Sequence, residues 1–219
     1  MRFFKTIYRV IFLSLVLVSC DNADVTLDGT LHGTIDGYSS TSFNNVKFID
    51  LQGSTGTVLG SCTPQSTGKF SMTLSVPSLS QLAANEQSGI TVSDKTAQVG
   101  LGGVLGAYKD ASHVGYLIKT NLSSFSGSMT EMNGSLALFM YSDRNVTVKG
   151  SYTLGTTTAT YDLNLKKGWN EVNFKMNATS STITETITGT IPTDLKWKFF
   201  SVSSSQTIIK KLNVRGIKL

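Results

Sequence analysis

Between Lys69 and Val76 the chain reads "KFSMTLSV", and the apolar residues fall at every second position. That period places Phe70, Met72, Leu74 and Val76 on one face of an extended strand and is incompatible with a helical stripe, which needs a repeat near 3.6. Segments of this kind fill the chain. "VTLDGTLHGTIDGY", "NNVKFIDLQG" and "GTVLGSC" precede it at intervals of about ten residues, each bounded by Gly, Asn, Ser or Pro. After Ile90 come "ITVSD", "AQVGLGGVLGAY", "HVGYLIKT", "GSLALFMYSD", "NVTVKGSYTL", "TATYDLNL", "NEVNFKM", "TITETITGTI", "LKWKFFSV" and "TIIKKLNV". Many short strands with turn residues between them and hydroxylated outer faces predict an all-β protein.

One stretch breaks the pattern. In "PSLSQLAANEQSG", Ser78 can cap a first turn, Leu79, Leu82 and Ala83 make a small apolar face, and Gly89 can end it. The spacing predicts a helical connector over 78–89, between antiparallel β-sandwiches at 25–77 and 90–219. Asp143-Arg144-Asn145 and Lys166-Lys167-Gly168 read as hairpin loops, with Trp169 positioned to plug one end of a core.

The N-terminus has a different character. Arg2, Lys5 and Arg9 are basic, and no acid precedes Asp21. From Val10 to Val18 run nine residues, eight of them apolar. That is short of the ~20 apolar residues a membrane-spanning helix needs. It has the layout of a secretory signal peptide, here residues 1–19, predicted as a signal helix. Leu17-Val18-Ser19-Cys20 resembles the lipobox of bacterial lipoproteins. The resemblance implies diacylglyceryl transfer to the Cys20 thiol, cleavage before it and acylation of the new amine. Residues 20–24 then form a lipidated tether, and the membrane is a partner through the lipid. Two or more acyl chains make a stable anchor where one is marginal. Asp21 resembles a sorting residue. In enteric bacteria an aspartate there implies inner-membrane retention, whereas in Bacteroidetes-type lipoproteins acids after the cysteine imply surface export. The β-rich remainder suits the second group, so the expected location is the outer membrane, on its surface or periplasmic face.

Removing the signal changes the electrostatics. Loss of Arg2, Lys5 and Arg9 leaves 16 basic residues against 14 acids, and the net charge falls from +5 to +2. The mature chain therefore lacks the basic excess of a nucleic-acid-binding protein. Lys196, Lys198, Lys210, Lys211, Arg215 and Lys218 crowd the end. They suit either acidic headgroups or an outward strand face that guards an edge. With Cys20 lipidated, Cys62 has no partner within the molecule and is expected to be buried as a small hydrophobe, an intermolecular bridge being the alternative. Two histidines and one thiol are too few for a structural zinc site, and no cofactor or metal is implied.

Two further resemblances rest on short stretches. "GTIDG", the strand around Val46 to Ile49, and "TGKFSMTL" with Gly68-Lys69-Phe70 entering a fourth strand make 25–77 similar to carboxypeptidase regulatory-like, transthyretin-like sandwiches. This implies an Ig-like or transthyretin-like fold and a spacer role. "YDLNLKKGWNEVNF" resembles a stretch of uncharacterised Bacteroidetes-type lipoproteins, which supports localisation alone.

Catalytic patterns are weak. His32 sits in a strand-like run and His113 in the turn-like "KDASHVG". Ser66-Thr67-Gly68-Lys69 fits Ser-x-x-Lys, but a Ser-rich chain produces that by chance. Glu86, Glu131 and Glu171 stand in no setting suggestive of a glycosidase pair. The glycines from Gly100 to Gly106 miss dinucleotide spacing and lead into a strand. Tyr108, Tyr116, Tyr141, Tyr152, Tyr161, Trp169 and Trp197 serve either as core or as a stacking platform for sugars. In Lys196-Trp197-Lys198, alternation turns both lysines outward if Trp197 faces inward. The expected function is a non-enzymatic, lipid-anchored envelope module for binding or assembly, with an envelope protein or a glycan as partner. The alternative is a surface carbohydrate-binding or adhesive lipoprotein.

Overall fold

A computed structural model of the protein describes residues 24–50, 57–82, 89–102, 105–123 and 133–202. Within them the first strands are β1 (Thr30–Thr34), β2 (Asn45–Ile49), β3 (Val58–Cys62), β4 (Lys69–Thr73) and β5 (Ser80–Gln81). Next come β6 (Ile90–Val92), β7 (Gln98–Gly102), β8 (Leu105–Lys109), β9 (Ser112–Thr120) and β10 (Asn133–Ser142). The last are β11 (Val146–Leu154), β12 (Thr157–Leu165), β13 (Gly168–Ala178), β14 (Ile183–Thr188) and β15 (Lys196–Ser201). The protein is all-β, as its period-two segments predict.

β1 and β4 form a two-stranded sheet, and the other 13 strands share one large sheet. Its main path runs β3-β2-β8-β9-β10-β13-β14-β12-β11-β6, with β15 added to β9 and β7 to β10. Among the described residues the strands pair antiparallel except β12 with β14, and an isolated parallel bridge joins Ile35 to Trp197. Hydrogen bonds cross the predicted boundary, because β2 pairs with β8 from Asn45 opposite Tyr108 to Phe48 opposite Leu105.

The apolar run in β10 reflects burial on both faces. Leu136, Leu138 and Met140 enter one core, shared with Val148, Leu163 and Phe174. Ala137 and Phe139 enter a second core with Leu31, Phe48, Phe70, Trp169 and Trp197. A strand with one wet face would alternate, whereas one covered on both sides becomes continuously hydrophobic. The central strands thus have a core on each side, and the β1–β4 pair contributes Leu31, Phe70 and Met72 to the second.

Four local expectations are corrected. The helix predicted to start at Ser78 is extended chain: Ser80 and Gln81 pair with Val99 and Gln98 of β7. Ser78 donates its backbone N–H to Asp50 Oδ2 at 2.9 Å, and Leu82 is buried in the first core. Positions 79 and 82 suit a helix face in sequence, but the free edge of β7 captures the backbone; residues 83–88 lie outside the described residues. The loops at 143–145 and 166–167 are not hairpins either, since β10 pairs with β13, β7 and β9 while β12 pairs with β11 and β14. Each carries the chain across the first core. Val76 is exposed, because β4 ends at Thr73. His113 stands within β9, beyond the turn at Asp110 and Ala111.

Candidate functional site

The site begins where the described chain begins. Residues 24–32 make a tight reversal in which the His32 N–H donates to the Asp24 carbonyl at 2.8 Å and the Gly29 N–H to the Thr26 carbonyl at 2.9 Å. Thr26 and Thr30 also hydrogen-bond the Asp28 carboxylate, which holds that exposed acid below its ordinary range. This turn lays Asp24 over the second-core face of the central sheet.

Three charged side chains meet there. Lys119 on β9 donates to Glu171 Oε1 on β13 at 2.7 Å, and the same Nζ lies 3.1 Å from Asp24 Oδ2. The Asp24 backbone N–H donates to Glu171 Oε2 at 2.7 Å, and Trp197 Nε1 donates to Asp24 Oδ2 at 2.5 Å. The side chains of Lys119, Asp24 and Glu171 are 8%, 20% and 0% exposed. Burial pushes the Glu171 carboxyl above its ordinary value, against the opposing pull of the Lys119 ammonium.

The surrounding wall is aromatic. Trp197 stacks on Phe139 with ring centroids 5.8 Å apart and meets Phe70 edge-on at 5.3 Å. Gly33 permits this, since a Cβ there would collide with Trp197 Nε1. The register explains the convergence. Trp197 stands opposite Lys119, and Glu171 opposite Phe139, so all four side chains share one face.

Above this cluster opens a cleft of about 930 Å³. His32, Gln65, Lys69, Ser71 and Lys196 supply polar groups at its walls, and Phe70, Ile191, Pro192 and Leu195 apolar ones. Asp24 and Lys119 contribute as well, so the buried network meets the open space.

A second cluster lies at the β8–β9 hairpin. The His113 ring sits 5.1 Å from Tyr108 and 4.5 Å from Tyr116, and Lys47 Nζ lies 4.4 Å above the Tyr108 ring. All three ring residues are half-buried, and His113 Nε2 is buried without a hydrogen-bond partner. Burial raises the Tyr116 hydroxyl above its ordinary value.

Leu17, Val18, Ser19, Cys20 and Asp21 lie outside the described residues, as do Glu86, Glu131, Lys210, Lys211, Arg215 and Lys218. Cys62 is free and half-buried against the second core, and burial pushes its thiol up. Trp169 and Trp197 are core residues rather than a platform, while Lys196 is exposed and Lys198 donates to the Leu122 carbonyl at 2.8 Å. Sequence reading passed over Lys119 and dismissed Glu171. The available signal was a carboxylate at an inward position of β13, two residues after a buried Trp. No family model, curated protein or solved structure matches the chain.

Proposed function

We propose that the protein is a lipid-anchored cell-envelope component, held at the outer membrane through Cys20, that works without catalysis as a binding or assembly module. The signal layout, the lipobox Leu17-Val18-Ser19-Cys20 and Asp21 after it support the anchor. The observation that carries the binding role is the cleft. Its volume of about 930 Å³ suits a small ligand or a chain end, and its walls combine polar groups with apolar surface. The nearby charges Lys119 and Glu171 are engaged with each other, an arrangement suited to holding a site in shape.

Acyl labelling of cells producing wild type and Cys20→Ala tests the anchor. Label and membrane recovery should both vanish in the variant; their persistence would refute it. For the cleft, purified protein is titrated with oligosaccharides and peptides of the same cell envelope. Binding should weaken at least tenfold in Lys69→Ala, and a ligand indifferent to that change would move the site elsewhere.

A glycan-binding reading draws on the clustering of the half-buried Tyr108, His113 and Tyr116 rings near the surface. Loss of oligosaccharide binding in Tyr108→Ala, with Lys69→Ala unaffected, would select it.

A further inference from the structure

A primary amine and a carboxyl lie in contact at the floor of the cleft. Lys119 Nζ is 3.1 Å from Asp24 Oδ2, in direct contact with the carboxyl whose carbon it would attack. Glu171 touches both partners, through Oε1 to the amine at 2.7 Å and through Oε2 to the Asp24 backbone N–H at 2.7 Å. The Lys119 and Glu171 side chains are 8% and 0% exposed, and Trp197, Phe139 and Phe70 wall the group. Such surroundings hold the amine and the carboxyl in contact and screened from bulk water, the condition under which condensation can compete with hydrolysis. The Trp197 N–H to Asp24 Oδ2 is placed to stabilise negative charge on that oxygen.

We propose that Lys119 and Asp24 become joined by an intramolecular amide bond, with Glu171 carrying the proton. The Nζ lone pair attacks Asp24 Cγ and forms the C–N bond, while the carbonyl electrons move onto Oδ2 against the Trp197 N–H. Glu171 accepts a proton from Nζ and returns it to the departing Oδ1 hydroxyl. The C–O bond breaks, Oδ1 leaves as water and the carbonyl re-forms. Amine and carboxylic acid become amide and water, Glu171 ends as it began, and no oxidant or other reactant is consumed.

The bond would fasten the turn before β1 to a central strand. On the reading that Cys20 carries the lipid, only four positions separate anchor from cross-link. A pull on the anchor would then load β9 directly instead of peeling β1 from β4.

Intact-mass measurement of the full chain, purified folded from the producing cells, tests the proposal. The mass should fall one water below that expected for its processing state. Trypsin should release a branched fragment joining the Asp24 peptide to that of Lys119. Lys119→Arg should show the full mass, and Glu171→Gln should show the full mass or a large slowing of water loss. Cys20→Ala should still lose the water, which separates this bond from the anchor. Folded wild type at full mass would overturn the proposal. Water loss persisting in Lys119→Arg would also overturn it, and loss unchanged in Glu171→Gln would overturn the role of Glu171.

Discussion

Lys119 and Glu171 touch at 2.7 Å although β10 runs between their strands. Strands two apart in a sheet are separated by roughly 9.5 Å, twice the spacing of neighbours. Only two long side chains reaching across a small residue can close that gap. Leu136 pairs with Thr120, so the antiparallel register places Ala137 beside Lys119, with Phe139 opposite Glu171. Ala137 is the gap over which the pair meets.

Filling that gap should break the contact. Ala137→Leu puts a branched side chain where Lys119 crosses, and overpacking of this kind costs about 1–3 kcal/mol. Urea unfolding should show a lower midpoint with an unchanged slope. Water loss from the Asp24–Lys119 pair should fall with it. An Ala137→Leu protein as stable as wild type would mean that the pair meets by another route.

Glu171 should leave a mark on the pH dependence of stability. Its folded pKa lies above its unfolded value, because burial outweighs the Lys119 interaction. The folded state therefore holds this proton more tightly. The associated stability is fully present below the unfolded value of about 4.3 and is lost as pH rises through the folded value. Asp94 and Asp143, held low by hydrogen bonds from Thr96 and Arg144, act oppositely and lose their contribution as pH falls below about 3.9. Glu171→Gln should flatten the decline above pH ~4.3 and leave the acid limb intact. Denaturant midpoints measured from pH 3 to 9 decide it, and an unaltered upper limb would exclude Glu171 as its source.

Gly33 should tolerate no side chain. Its Cβ would occupy the place of the Trp197 indole edge, so Gly33→Ala must displace Trp197 or Phe70. A cost of about 1–3 kcal/mol is expected. Tryptophan emission should shift to the red as Trp197 gains solvent. An unshifted spectrum and midpoint would show that the indole has room to move.

The strands were legible because their cause is local. Phe70 and Met72 alternate with polar neighbours, and both are buried on the predicted face. Val76 obeys the same arithmetic yet is exposed, because register with β1 ends at Thr73, which pairs with Thr30. Pattern supplies a face and partners set its length. The charged cluster was illegible for a related reason. Asp24, Lys119 and Glu171 lie in three separate segments, and only the order β9-β10-β13 with the turn at 24–32 brings them together. "HVGYLIKT" hides Lys119 at the end of an ordinary strand pattern. The helix predicted over 78–89 failed similarly over its described start, residues 78–82: β7 offered an edge that no local signal announces.

Phe48 tests whether the segments before 78 and after 89 unfold together. It lies on β2, is fully buried, and meets Phe139 and Trp169 edge-on at 5.9 and 5.6 Å. Its strand also pairs with β8, so both backbone and side chain engage the later segment. Phe48→Ala should remove about 3–5 kcal/mol. If the contacts couple the two cores, that loss should lower one cooperative transition seen alike by tryptophan emission and far-ultraviolet dichroism. Trp169 and Trp197 border the second core, whereas most strands of the first report only through dichroism. A variant whose emission transition moves down while the dichroism transition stays would mean separately unfolding units. Coincident movement of both would mean that the β2–β8 ladder and the Phe48 rings bind the molecule into one.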